Sequence, residues 1–205
     1  MIHEGQPVAR RGPDPADARA VCVLLHGRGR DTDDVLELAE RIGDADVAFL
    51  APAARGNTWY PQSFLAPLEA NEPHLGSALA VVDALLGSLG DLERVVLGGF
   101  SQGACLAAEY ALRHPRRYGG LLLYTGGAIG PPGTEWPARG TFAGTPAYLG
   151  TADPDDWVPV ERVRETAALL RAQDAEVTLE VFPGLDHLVN DEEIAAGRSL
   201  LSGCG

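Results

Sequence analysis

Gly99-Phe100-Ser101-Gln102-Gly103 sets a serine between two glycines, where an apolar run, Val95 to Leu97, gives way to an Ala-rich stretch reaching about Arg113. A serine hydroxyl is a weak nucleophile until a neighbouring base takes its proton. This spacing offers a sharp strand-to-helix turn that lifts the hydroxyl above a sheet, with glycines where other backbone must pass close by. The backbone N–H of Gln102, opening the helix, then points at the place where an oxyanion would form. A second donor is expected from the loop after the first strand, Leu25-His26-Gly27-Arg28-Gly29, with the backbone N–H of Arg28 as the candidate. These glycines do not make a dinucleotide-binding turn, because the G-x-G-x-x-G spacing fails.

The base and its orienting acid follow the serine in the order acid, then histidine, on a scaffold of this kind. Five histidines are present, His3, His26, His74, His114 and His187, and only His187 lies beyond the fifth strand. It falls in Gly184-Leu185-Asp186-His187, between the last strand and the final helix, a position from which a loop reaches over the carboxyl edge of a sheet. The acid belongs in the loop after the fifth strand, where Asp153, Asp155 and Asp156 compete. One of them should accept the imidazole Nδ1–H and fix its tautomer; the others are ordinary solvated loop residues or a helix cap.

The elements that must hold these groups are read from hydrophobic pattern. Ala20 to Leu25 is a continuous apolar run, as in a strand covered on both faces. A helix carrying Val35, Leu38, Ala39 and Ile42 on one side follows, then a strand from Val47 to Leu50. Residues 53 to 73 are irregular but carry Trp59, Tyr60, Phe64 and Leu65. A helix over about 75–89 leads to the Val95 strand and the serine turn. Leu121 to Tyr124 and Ala147 to Leu149 are further strands, separated by a Gly/Pro loop over 126–145. A helix from Val160 to Leu170 precedes Val177, Leu179 and Val181, whose alternation with polar residues predicts an edge strand. A last helix runs to about Leu200. Strands alternating with helices imply one α/β domain over residues 1–205, a doubly wound, mostly parallel sheet without a large cap.

Composition bounds the partners. The chain has 205 residues, 45% hydrophobic and 22% charged, enough for one globular core. A net charge of -13 with no basic stripe argues against nucleic acid and anionic lipid as partners. Cys22, Cys105 and Cys204 form no metal-ligand or disulfide framework, which points to a reducing compartment. MIHEGQPVARRGPDPADA has no apolar core of signal-peptide length, and no later stretch is long enough to span a membrane. A cytoplasmic protein is expected. Its oligomeric state, a homodimer included, is left open.

Five stretches, LLHGRGRD, GNTWYPQSF, GGFSQG, PAYLGTADPDDWVP and FPGLDH, give the chain a resemblance to the phospholipase/carboxylesterase family of small α/β-hydrolases, which includes the acyl-protein thioesterases. The likeness covers about residues 20 to 190. It implies a single α/β-hydrolase domain cleaving carboxylic esters or thioesters of short to medium acyl groups through an acyl-enzyme on Ser101, with no metal and no cofactor. The family's acid stands three residues before a Val-Pro, which selects Asp155; counting forward from the strand-ending glycine selects Asp153 as the alternative. The family's oxyanion donors fall on Arg28 and Gln102. An apolar residue often stands where this chain has Arg28, a departure that bears on acyl preference. Trp59 and Tyr60 match the family's substrate-side loop and are expected in the pocket, whereas Phe64 and Leu65 read equally well as anchors to the core. Loops 53–73 and 127–145 are expected to cover the site. Hydrolysis of cyclic esters or acyl-amides on the same scaffold is the nearest alternative. A catalytically dead binding module is an alternative of another class, disfavoured by the complete Ser/Asp/His order.

Overall fold

The computed structural model describes residues 1–43 and 45–204. Continuous apolar runs become buried strands. Ala20–Leu25 (β2) and Val47–Pro52 (β3) are buried along their whole length, as is Gly120–Tyr124 (β5). Val95–Phe100 (β4) is buried to its last residue, and Pro146–Asp153 (β6) along all but its ends. Two further strands complete a seven-stranded sheet: Val8–Arg11 (β1) and Glu176–Pro183 (β7), in the order β1-β3-β2-β4-β5-β6-β7. β1 runs antiparallel to β3, and every other pairing is parallel.

Successive side chains of a strand point to opposite faces, and this alternation divides the core in two. Val21, Val23, Leu97, Leu121, Leu123 and Leu149 face one way, towards helices His74–Leu89 (α2), Gln102–Arg113 (α3) and Val160–Ala172 (α4). Cys22, Leu24, Val96, Leu122 and Tyr148 face the other, under Thr32–Ile42 (α1) and Asp191–Ser202 (α5). A sheet covered on both faces is the reason its central strands carry almost no polar residue. β7 lies at the edge, and its burial alternates as its sequence does.

β1 has no counterpart in the sequence-based reading. It is four residues long, two of them exposed arginines, so it carries neither the continuous run of an interior strand nor a clean period of two. Pairing with β3, in the register Val8 opposite Pro52 to Arg11 opposite Phe49, gives it order that its own side chains do not encode.

β2 has β3 on one side and β4 on the other, so the chain changes direction of winding at their carboxyl ends. A crevice opens at such a switch point in open parallel sheets. The loop after β2 carries Arg28, and the turn after β4 carries Ser101.

Candidate active site

Ser101 joins β4 to α3 with φ 54° and ψ -118°, a backbone conformation that side-chain-bearing residues rarely adopt. Strain of this kind costs on the order of 1–3 kcal/mol and persists only where surrounding structure enforces it. Enforcement is visible on both sides. The Ser101 N–H donates to the Tyr124 carbonyl at 2.9 Å, and the Cys105 N–H donates to the Ser101 carbonyl at 2.9 Å. The end of β2 packs so closely that a β-carbon on Gly99 or Gly103 would strike the Leu25 carbonyl. The two glycines are therefore a packing requirement of the turn.

The turn presents the Ser101 hydroxyl to His187, on the loop between β7 and α5. His187 Nε2 lies 2.8 Å from Ser101 Oγ, and Nδ1 lies 2.7 Å from Asp155 Oδ2. The Asp155 side chain is 0% exposed, and its second oxygen accepts the N–H groups of Trp157 and Val158, each at 2.8 Å. Three donors thus fix the plane of the carboxylate that orients the imidazole. Asp153 ends β6, where its carbonyl accepts the Gly184 N–H at 2.9 Å; the carboxylate brought to His187 is that of Asp155. The Phe100 ring, its centroid 5.0 Å from that of His187, supports the imidazole.

Arg28, Ser101, Gln102 and His187 line one cleft of about 600 Å³, within the usual range for small-molecule sites. Among the described residues, neither the Arg28 nor the Gln102 N–H donates to a protein acceptor. Two backbone donors are thus left beside the serine, one of them at a helix N-terminus. Cys105 also lines the cleft, but burial pushes its thiol up to about 12, so it holds its proton at neutral pH and does not compete with Ser101 as a nucleophile.

Trp59 and Tyr60 part company here. Tyr60 lines the cleft; Trp59 does not, being fully buried behind it. Its indole stacks on His26 with centroids 5.0 Å apart and donates to the His26 carbonyl at 3.0 Å, while its backbone N–H donates to Gln102 Oε1 at 3.0 Å. Trp59 is therefore a strut that ties the loop after β2 to the serine turn, not a pocket wall. His26 completes the strut as a neutral ring: Nδ1–H donates to the Gly27 carbonyl and Nε2 accepts the Ala54 N–H, while burial holds its pKa below the ordinary histidine value.

The loop over 127–145 also departs from expectation, since none of its residues lines the cleft. Buried charges hold it against α3 and α4 instead. Glu109 Oε2 accepts the Ile129 N–H and the Trp136 indole N–H, and Arg162 donates to the carbonyls of Ala128 and Gly130. The wall it was expected to form is supplied by Trp157 and Val158. Trp157 is 71% exposed, and its sequence signal was an aromatic residue in an otherwise acidic loop, next to the candidate acid. Phe64 lines the cleft while also packing into the core, and Leu65 packs on the core alone.

The His187 loop ends in a reciprocal cap. Asn190 Oδ1 accepts the Glu193 N–H and Glu193 Oε2 accepts the Asn190 N–H, each at 2.9 Å. Glu193 Oε1 is buried over Gly150 without a partner among the described residues, and burial pushes this carboxyl up to about 7. The folded protein then keeps a proton that the unfolded chain releases near 4.5, so this group's stabilisation is intact below about 4.5 and is lost as pH rises through 7. Glu193→Gln keeps an acceptor for the Asn190 amide without the charge. It is expected to be more stable than wild type by ~1–2 kcal/mol at pH 8, with the difference shrinking towards pH 5. Denaturant midpoints at the two pH values measure this, and an equal difference at both would contradict it.

Residues 73–204 match the family described as phospholipase/carboxylesterase. A phospholipase/carboxylesterase from Dyadobacter fermentans is 36% identical and superposes with a TM-score of 0.93 over 98% of this chain and 99% of its own. The chain belongs to the phospholipase/carboxylesterase family. Acyl-protein thioesterase 1 of Gibberella zeae is 31% identical over 104 residues, which are 50% of this chain and 44% of that protein. Its counterpart from Eremothecium gossypii is 29% identical over 105 residues, 49% of this chain and 43% of that protein. The match thus spans less than half the length of either thioesterase, whereas it extends over nearly the whole of the bacterial family member.

Proposed function

We propose that this member of the family is a serine hydrolase that moves the acyl group of a carboxylic ester or thioester onto Ser101 and then onto water. The observation that carries the proposal is the unbroken chain Ser101 Oγ, His187, Asp155 at the cleft. In this cycle His187 Nε2 takes the Ser101 proton as Oγ adds to the carbonyl carbon, and the Nδ1–H bond to Asp155 stabilises the imidazolium. The carbonyl oxygen, now negative, accepts the Arg28 and Gln102 N–H groups. Collapse expels the alcohol or thiol, which receives the proton from His187; a water then gives a proton to His187 as its oxygen adds to the acyl carbon, and collapse breaks the bond to Ser101 Oγ, which takes the proton back from His187 as the acid leaves. No step of this cycle calls for a metal or an organic cofactor. The names of the relatives, carboxylesterase and acyl-protein thioesterase, support the substrate class.

The cleft has apolar walls in Tyr60, Phe64, Trp157 and Val158 and, among the described residues, no helical cap above them. Each methylene buried adds about 0.8 kcal/mol only while wall remains to cover it. Specificity constants on a series of 4-nitrophenyl esters and matching thioesters are therefore expected to peak at short to medium acyl chains. A steady rise to palmitoyl length would contradict this reading. We also assign the protein to the cytoplasm: its three cysteines are free and buried, and among the described residues no helix is long and apolar enough to cross a membrane.

A further inference from the structure

Charge is segregated across the candidate site. In a chain where acidic residues outnumber basic ones 29 to 16, the cleft beside Ser101 is lined by two guanidinium groups, Arg28 and Arg30, and, among the described residues, by no carboxylate. The adjoining depression, beyond Trp157 and His187, has the opposite character, with Asp156 and Asp186 in its lining.

The two arginines are not equivalent. Arg30 is exposed and pairs with Asp34 at 3.1 Å. Arg28 has no carboxylate partner among the described residues. Its guanidinium donates to the carbonyls of Pro61 at 2.8 Å and Gln62 at 2.5 Å, and its Cζ lies 5.7 Å from the centroid of the Tyr60 ring. A guanidinium has about five N–H donors, so these two carbonyls leave most of the fork unused. Clamping removes much of the rotamer freedom that an exposed arginine would otherwise lose on binding.

We propose that the acyl group this cleft accepts carries a carboxylate at its far end, as in a half-ester of a short dicarboxylic acid, and that Arg28 selects for it. This rests on the serine-hydrolase reading above and specifies its substrate. The side of the ester that bears the charge follows from the segregation. His187 hands its proton to the leaving group, and the depression that adjoins His187 carries Asp156 and Asp186, which repel an anion on that side. Arg28 is held by the carbonyls of residues 61 and 62, and none of these three residues lines the acidic depression. The net charge of -13 disfavours any anionic substrate at long range, so a preference for one can arise only within the cleft.

The test compares kcat/KM for mono(4-nitrophenyl) adipate with that for the same ester capped as its methyl ester, so that chain length is held and only the charge changes. Wild type is expected to favour the charged ester roughly tenfold, the discrimination one charge-assisted, geometrically matched pair supplies. Arg28→Gln should bring that ratio close to one, with Arg28→Lys between. Reading the ratio cancels any effect on the oxyanion hole, which both esters share. A wild-type ratio at or below one, with the capped ester turned over, overturns the proposal and leaves the hydrolase reading standing. No turnover of either ester overturns both. An unchanged ratio in both Arg28 variants removes Arg28 as the selector. A preference for 4-acetoxybenzoate over its methyl ester would place the charge on the leaving group and overturn the assignment to the acyl side.

Discussion

Ser101→Ala is expected to fold normally and to lose on the order of 10⁴ or more in turnover. No other group in the cleft replaces the lost oxygen: Cys105, the thiol in its lining, is kept protonated by burial. What survives is the rate supplied by the oxyanion donors and by binding, which in hydrolases of this kind still exceeds the uncatalysed reaction. The same position stores strain, since φ is 54° at a residue that carries a β-carbon. Ser101→Gly is therefore expected to be equally inactive but more stable than Ser101→Ala by about 1 kcal/mol. Turnover on a short 4-nitrophenyl ester and denaturant midpoints measure the two effects separately. Near-normal turnover in Ser101→Ala would end the account.

The second large effect separates the aspartates. Asp155→Asn replaces an acceptor with a group that offers Nδ1 either an amide donor or a rotated oxygen. In the first case the imidazole is driven to the tautomer that cannot take the Ser101 proton. A loss of about 10⁴ in kcat is expected, with KM little changed, because the group acts on the transition state through His187. Asp153→Asn should fall within about threefold of wild type, since the carboxylate at His187 Nδ1 is that of Asp155. The reverse ranking would show that the loop after β6 rearranges when substrate binds.

Much of this geometry was legible in the residues. The continuous apolar runs gave the interior strands, because a strand covered on both faces has no polar side to display. Glycines two residues either side of Ser101 marked the turn, and the structure supplies the reason in the Leu25 carbonyl packed against both. His187 stood out because it alone followed the fifth strand, and the edge character of β7 was written in its alternation. The choice among the aspartates was different. Spacing alone left three, and likeness to a family was needed to prefer Asp155 over Asp153.

What escaped has a common cause. Loops lack a period, so their composition does not say which way a side chain points. Trp59 and Tyr60 are adjacent in one loop, yet one ring props the serine turn from behind while the other lines the cleft. The 127–145 loop was expected to cover the site because no segment of the sequence is long enough to form a helical cap. Its course is set by Glu109 and Arg162, buried charges on two helices distant in sequence, whose pairing with this loop's backbone no local pattern announces. β1 escaped for the related reason that a short edge strand borrows its order from the partner beside it.

The most direct measurement is reaction of wild type with a fluorophosphonate, followed by mass spectrometry of the intact chain and its peptides while residual hydrolysis is recorded. One adduct per chain is expected, on the peptide containing Ser101, with activity falling in proportion to labelling and no adduct on Ser101→Ala. Hydrolysis that survives stoichiometric labelling, or an adduct that tracks inactivation at any other residue, would contradict Ser101 as the nucleophile.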